Sequence, residues 1–500
     1  MLRKLVMAFA LSAAVAPMAG APVTGPSSSQ SPYIVPVAAG VEFTSILTVG
    51  DQVRKNHTAA DTYRMVGIPD GLGAFDNGDG TITVLMNHEL RSNVGVTRAH
   101  GAIGAFVSRW QIRKSDLRVL NGEDLMKNFR AWNAASETWV DGNGTAFSRF
   151  CSADLASPNA YFNSASDKGF TGGRIYMDGE EDDAAGRAVA HIVGGPQDGT
   201  SYELPKFGRH AWENLLASPF RQDKTIVVAT EDGGLNKVFV YVGDKQEEGN
   251  PVEQAGLNNG TRYEVSIAGY TNDDPATGFQ SAAFSLVTSG GTSLARPEDG
   301  AWDTIDRNRF YFVTTASITG NTRLWRLTFS DIRHPELGGT VEVLVNGNTV
   351  ADPQIKMMDN ITVDQDGNVY MQEDVGNNVR LGQIWRYSPK SGTVTDLAQH
   401  DSTRFITGAS ADIDGTSTKQ SDEESSGIID VTHLFNGVSG YDTKDYCYFL
   451  LDVQAHYTDI SGTALAAELV EGGQLLLMRV PAVKHGNDKN ADESQNEIDP

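Results

Sequence analysis

Along the chain, short apolar runs of strand length alternate with polar turns rich in Gly, Asn and Asp, and helical periodicity is scarce. The runs share a form. GTITVLMNHEL ends at Glu89 and GGRIYMDGEE at Glu181. KTIVVATEDGG carries Glu231 and Asp232 and leads into KVFVYVGD, and RNRFYFVTT leads into NTRLWRLTFS. GNVYMQEDVG carries Glu373 and Asp374 and leads into GQIWRYSP, and DYCYFLLDVQAH leads into GQLLLMRVP. The repeating unit is a buried strand, a polar or acidic end, a loop, then a second strand with aromatics. Its interval, roughly 50–90 residues, exceeds the ~40–50 residues of an ordinary propeller blade, so the loops must hold insertions.

In a propeller, blades stand around a central channel, and equivalent strand ends meet on one face near the axis. The pattern predicts an all-β chain folded as a six-bladed β-propeller. Short helices are expected in insertions such as GEDLMKNFRAWN and DGEEDDAAGRAVAHI. A jelly roll or β-sandwich is the alternative, but it gives the repeated acidic strand ends no reason to exist. In the propeller register, Glu89, Glu181, Asp232 and Asp374 converge, together with Glu298 and Asp299, which precede a strand of the same kind.

The chain ends read differently. Arg3 and Lys4, the apolar run Leu5–Val15 and small residues near Ala19 and Ala21 form a Sec-type signal peptide over residues 1–21, too short to span a membrane. Residues 22–32 read as a flexible linker, 33–482 as a single propeller domain and 483–500 as a disordered acidic tail. The expected mature protein is a secreted or periplasmic monomer without membrane insertion. The formal net charge of −24 argues against a nucleic-acid partner, whose binding draws on basic surface.

Carboxylates gathered at one face would repel one another and stay partly protonated. Hard cations relieve that cost, and calcium, which takes many oxygen ligands, suits such a crown. DNGDGT (76–81) and DQDGN (364–368) look like pieces of an EF-hand loop but lack its spaced acid, and read as hairpin turns. The two cysteines, Cys151 and Cys447, admit a disulfide, two inert buried thiols, or a thiolate at Cys151 that would select a softer metal. Asn87 and His88, beside Glu89, are candidates for contact with metal or phosphate, or form an ordinary hydrogen-bonded strand end. Arg296 offers a bidentate fork to an anion, or a partner for Glu298 or Asp299. No Gly-x-Ser-x-Gly elbow occurs, so covalent serine catalysis has no support in the sequence.

In their order, MNHEL, RFCSADLA, MDGEE, TEDGGLNKVFVYVGDK, LARPEDGAWDTIDRNRFYFVTT, MMDNITVDQDGNVYMQED and LLDVQAH resemble the PhoX-type alkaline phosphatases, secreted metal-dependent β-propeller enzymes. The resemblance covers nearly the whole mature chain. It implies hydrolysis of small phosphate monoesters at a cluster of calcium and iron (Fe3+) ions at one end of the channel. It implies Cys151 as the iron thiolate, Glu181 or its neighbour Glu180 as a ligand, Glu298 as a ligand and Arg296 near the phosphate. Glu231 and Asp232 fall at an acidic strand end of the family, and Glu373 and Asp374 align similarly. Three features depart from the pattern. Asp299 stands where the family has Trp, Ser152–Asp154 follow the cysteine in place of a Gly-rich run, and Arg3-Lys4 replaces a twin arginine. They leave open a calcium-only cluster, another calcium-dependent propeller hydrolase of phytase or lactonase type, or a non-catalytic calcium-binding propeller.

Overall fold

Six inner strands form a closed ring: Pro69–Asp76, Phe150–Asp154, Trp212–Ala217, Pro297–Trp302, Met358–Val363 and Glu424–Asp430. Each packs against the next, and the last returns to the first. They head blades one to six of a β-propeller in a computed structural model that describes residues 22–276, 278–317, 320–347, 355–376, 380–405, 423–456 and 464–484. The expected signal peptide, 1–21, and the tail beyond 484 lie outside the described residues.

From each inner strand an antiparallel sheet steps outward. Blade one continues through Thr81–His88, Phe106–Arg113 and Val119–Asp124. Blades three and four share one sheet, because Ser281–Val287, added outside blade three, pairs with Gly339–Asn346, the outer strand of blade four. Blade six is completed by the start of the chain: Glu42–Thr48 pairs antiparallel with the terminal strand Gly472–Pro481. That pairing ties the two ends of the domain together and locks the ring. Residues 22–32, read as a linker, include Val23–Thr24, which pairs in parallel with Thr44 and Ser45 on the same sheet.

Sheets packed face to face must be apolar on both sides. Accordingly Thr81–His88 is buried at every position, and Trp110, Trp212 and Trp325 fill the gaps between blades. Short helices occur at Pro251–Gln254, capped by Asn250, and at Ala466–Leu469. The two segments expected to be helical are not. GEDLMKNFRAWN forms parts of the strands Val119–Asp124 and Asn128–Asn133, and DGEEDDAAGRAVAHI holds a 3-10 turn at Asp183–Ala185 before the strand Ala188–Val193. Sheet pairing on both sides of Ala188–Val193 overrides the helix propensity of its alanines. DNGDGT and DQDGN are hairpin turns, with Asp76 accepting from Gly78 N and Asp364 from Asp366 N. Among the described residues no helix is long and apolar enough to cross a membrane.

Every inner strand carries a register shift against its second strand near the start, between Pro69 and Leu72, Phe150 and Ala153, Trp212 and Asn214, Pro297 and Gly300, Met358 and Ile361, and Ser426 and Ile429. A β-bulge re-aims a side chain that the pleat would otherwise bury in the sheet. The bulges are what build the site.

Candidate metal centre

At the bulges of blades one to five, the second residue of the inner strand is Asp70, Cys151, Glu213, Glu298 and Asp359. All are buried. An apolar residue precedes each one, Pro69, Phe150, Trp212, Pro297 or Met358. Before that, in four blades, stands a residue in the left-handed region: Ile68 (φ 51), Arg149 (φ 48), Arg296 (φ 59) and Met357 (φ 44). Such a backbone costs on the order of 1–3 kcal/mol in a non-glycine residue and persists only where the surroundings fix it. Blade six differs. Glu424 opens its strand, beside Asp374 in an isolated bridge, and its bulge carries Gly427 in place of an acid.

The second strands add a further set. Alternation along a strand sends neighbours to opposite faces, and this divides the acidic pairs predicted from the sequence. Glu89, Glu181, Asp232 and Asp374 sit just past the strand ends, on the channel side. Their neighbours turn elsewhere. His88 lies between Ser108 Oγ, 2.9 Å from Nε2, and Gly67 O, 3.2 Å from Nδ1, stacked on Phe106; burial holds it neutral and lowers its pKa to about 3. Glu180 accepts from Arg187 Nη1 (2.7 Å) and Ser148 N (3.0 Å). Glu231 accepts from the amides of Leu235 and Asn236 in its own loop. Glu373 is held by Arg380, Trp385 Nε1 and the amides of Lys356 and Gln383. The structure does not bring these four to the cluster. Asn87 lies one layer behind it, its Nδ2 donating to Cys151 O (2.8 Å) and its Oδ1 accepting from Tyr176.

Three overlapping groups result: Asp70, Glu89 and Cys151; Cys151, Glu181 and Glu213; and Glu213, Glu298 and Asp359. Within each group, the candidate ligand atoms all lie within 4.8 Å of one another. Cys151 Sγ stands 3.1 Å from Glu181 Oε2, and neither cysteine is in a disulfide. Burial, then the neighbouring acids, drives the pKa of Asp70, Glu213, Glu298, Asp359 and Glu424 well above the carboxylate range and that of Glu181 to about 7, although Arg149 pulls Glu181 down. The Cys151 thiol is raised for the same reasons. Glu298 Oε1 is buried and makes no hydrogen bond, though Arg296 Nη2 stands 3.2 Å away. A multivalent cation would satisfy that oxygen and reverse the local field. The donor set fits metal on both counts: carboxylates alone around Glu213, Glu298 and Asp359, and a thiolate among carboxylates around Cys151.

Two guanidiniums enter the crown. Arg296 donates to Asp232 through Nη2 (2.7 Å) and Nε (3.1 Å). Arg149 pairs with Glu181 Oε2 (2.8 Å) and reaches within 3.9 Å of Glu89. The channel beneath is closed by polar side chains of the inner strands, one residue past the ligand position in blades two to five and at Ser426, just before Gly427, in blade six. Ser152 donates to Glu213 Oε1 (2.6 Å) and accepts from Asn360 Nδ2 (2.7 Å), while Ser426 donates to Asp70 Oδ1 (2.6 Å). Asp299 belongs to this layer, accepting from Asn214 Nδ2 and from the amides of Gly300 and Ile361. A separate groove of about 930 Å³, lined by Ser28, Arg54, His57 and Arg118 among others, lies at the outer edge of blade one and includes none of the clustered acids.

Sequence reasoning missed Asp70, Glu213, Asp359 and Glu424. A signal was present for the first three: Pro-Asp, Trp-Glu and Met-Asp repeat the apolar-then-ligand order of Phe-Cys and Pro-Glu at the start of each inner strand.

No family model and no curated protein matches the chain. Solved structures do. A structure described as Pseudomonas fluorescens PhoX in complex with vanadate, a transition state analogue, aligns over 92% of this chain and 97% of its own, with a TM-score of 0.57 and 11% identity. A gluconolactonase from Xanthomonas campestris aligns over 93% and 99% with a TM-score of 0.36 and 10% identity. At these identities the first likeness shows the propeller fold, and the second carries no argument.

Proposed function

We propose that the chain is a metal-dependent hydrolase of small phosphate monoesters, acting at the end of the channel where the bulges converge. The observation that carries this reading is the placement of Arg296. It is a half-exposed guanidinium held between Asp232 and Glu298, directly beside the buried group of Glu213, Glu298 and Asp359. An anion-binding fork next to a cation-binding crown is what a phosphate ester needs. The vanadate complex of the PhoX fold relative agrees with it, as does the resemblance in the motifs.

In this reading Glu213, Glu298 and Asp359 hold calcium, and Asp70, Glu89, Cys151 and Glu181 hold a softer ion such as iron, with Asp232 and Asp374 at the rim. Bound cations would neutralise the phosphate and lower the pKa of a water to make a nucleophile near neutral or alkaline pH. The chain's own residues do the rest. Arg296, with Nε and Nη2 on Asp232, would donate to a phosphate oxygen through Nη1. Ser152 and Ser426 orient Glu213 and Asp70, and Asn87 holds the carbonyl of Cys151. The polar floor closes the channel below. We take the signal-like leader to direct Sec-type export.

The test is hydrolysis of an aryl phosphate at alkaline pH by the purified mature protein, as isolated, after chelation and after calcium is restored. Activity lost with the chelator and regained with calcium is expected. A folded, calcium-loaded sample that leaves aryl phosphate intact but opens lactones would move the same crown to the lactonase reading.

A further inference from the structure

We propose that Arg149 is a second substrate-binding arginine, the blade-two counterpart of Arg296, and that the pair selects phosphate monoesters over diesters. The inference rests on the phosphatase reading and deepens it.

The two arginines occupy one position of the repeat. Each stands two residues before a candidate ligand, Cys151 or Glu298, and each is left-handed, φ 48 and φ 59. The outward relation is shared as well. Arg296 pairs with Asp232, the acid past the second strand of the preceding blade, and Arg149 approaches Glu89, which has that place in blade one. Both heads remain open to solvent, with side-chain exposures of 29% for Arg149 and 40% for Arg296. The corresponding residues of blades one, three and five are Ile68, Ala211 and Met357. Ala211, the smallest, lies in blade three between the two arginines. The repeat thus sets a guanidinium in the blade on each side of blade three, whose own residue at this position is the small, buried Ala211.

A bland role is available to Arg149: its Nη2 donates to Glu181 O (2.6 Å) and its Nη1 pairs with Glu181 Oε2, so it could only hold that ligand. That role does not call for partial exposure; the left-handed backbone belongs to the repeat, since Ile68 and Met357 share it. A monoester presents three terminal oxygens and close to two negative charges. A diester presents one oxygen and about one charge fewer. Each guanidinium keeps N–H donors beyond those it gives to Asp232 or Glu181. Three terminal oxygens can engage donors from both sides where two engage fewer, so the pair discriminates between them.

The test uses the full mature chain saturated with calcium and measures binding of inorganic phosphate by calorimetry for wild type, Arg149→Lys and Arg296→Lys, with calcium affinity measured alongside. Arg149→Lys keeps the charge beside Glu181 and Glu89. Arg149→Gln serves as the second variant should the lysine melt early. Arg149→Lys is expected to weaken phosphate binding about tenfold, the size of one lost charge-assisted hydrogen bond, with calcium affinity unchanged. It is also expected to narrow the kcat/KM ratio of an aryl phosphate monoester over the matching diester by a similar factor. Phosphate affinity equal to wild type in both Arg149 variants, while Arg296→Lys loses it, overturns the inference and leaves the phosphatase reading standing. So does a loss that follows calcium affinity and is recovered at higher calcium, which would make Arg149 a holder of Glu181 alone. Wild-type protein that binds no phosphate and hydrolyses no ester overturns both.

Discussion

Asn360 and Ser152 meet across the axis of the propeller. Nδ2 of Asn360, in blade five, donates to Oγ of Ser152, in blade two, at 2.7 Å, and these blades face each other in a ring of six. The same hydroxyl donates to Glu213 Oε1, and Ser426 joins the network through Asn360 Oδ1 (3.1 Å) and Asp70 Oδ1. One hydrogen-bonded bridge thus both seals the channel and aims carboxylates from two candidate groups. Outer partners of metal ligands commonly affect metal affinity or activity by about 10–100-fold. Ser152→Ala should lower calcium affinity or kcat within that range with little change in fold, as measured by calcium titration and aryl phosphate kinetics. Unchanged values for both would mean that Glu213 needs no help from the floor.

The pH dependence of stability follows from the crowded acids. Burial raises the folded pKa of Glu298, Asp359 and Glu213 well above the usual range and that of Glu181 to about 7. A carboxylate raised in the folded state binds more protons there than when unfolded, so stability falls as pH climbs. The fall begins above the unfolded carboxylate range, about 4, and for Glu181 continues to about 7. In chelator the protein should melt lower at pH 8 than at pH 5.5, and calcium should remove most of the difference by stabilising the ionised ligands. Differential scanning calorimetry at the two pH values checks this. A melting temperature in chelator that rises with pH would show that these acids are not in one desolvated cluster.

The fold was legible because the repeat of strand, acidic end and strand is a property of local pattern. Blade merging was not, since Ser281–Val287 pairs with Gly339–Asn346 across a long stretch of sequence. The site was half legible. Adjacent acids such as Glu180 and Glu181 look alike in sequence, and only the pleat decides which one faces the channel. Asp70, Glu213 and Asp359 stayed hidden because a bulge, and no motif of acids, turns them inward. His88 shows the reverse error: a histidine beside an acid suggests chemistry, yet the strand directs it between sheets.

His88 therefore makes a clean control. With its pKa lowered to about 3 by burial, it stays neutral across the working range and serves Ser108 and Gly67 as a hydrogen-bond partner. His88→Phe should leave the shape of the pH–rate profile unchanged and cost about 1–3 kcal/mol of stability by leaving buried polar groups without a partner. Urea unfolding and a pH series on the variant check it. A shifted limb in the profile would bring His88 back among the residues that handle protons.

Asp452 poses the last question, because it is a fully buried carboxylate whose two oxygens have no hydrogen-bond partner. It pairs in register with Ser426 at the blade-six bulge, where the left-handed Gly427 replaces the acid found in the other blades. The fit is close: a Cβ at Gly427 would stand 3.1 Å from both Asp452 oxygens and 2.7 Å from Asp70 O. Burial alone raises the Asp452 pKa well above the carboxylate range. The folded state then holds its proton to higher pH than the unfolded chain does, at a cost that grows as pH rises above the unfolded value of about 3.9. Asn is neutral and nearly the same shape, so Asp452→Asn in chelator should melt a few degrees above wild type at pH 8. The gain should shrink toward zero below about pH 3, where Asp452 is protonated in both states. The calcium-loaded comparison separates two roles for the residue. A gain that persists with calcium leaves Asp452 as a protonated packing group between blades six and one. A gain that turns into a loss with calcium would add Asp452 to the ligands, as the carboxylate that blade six supplies from its second strand where its bulge has only glycine.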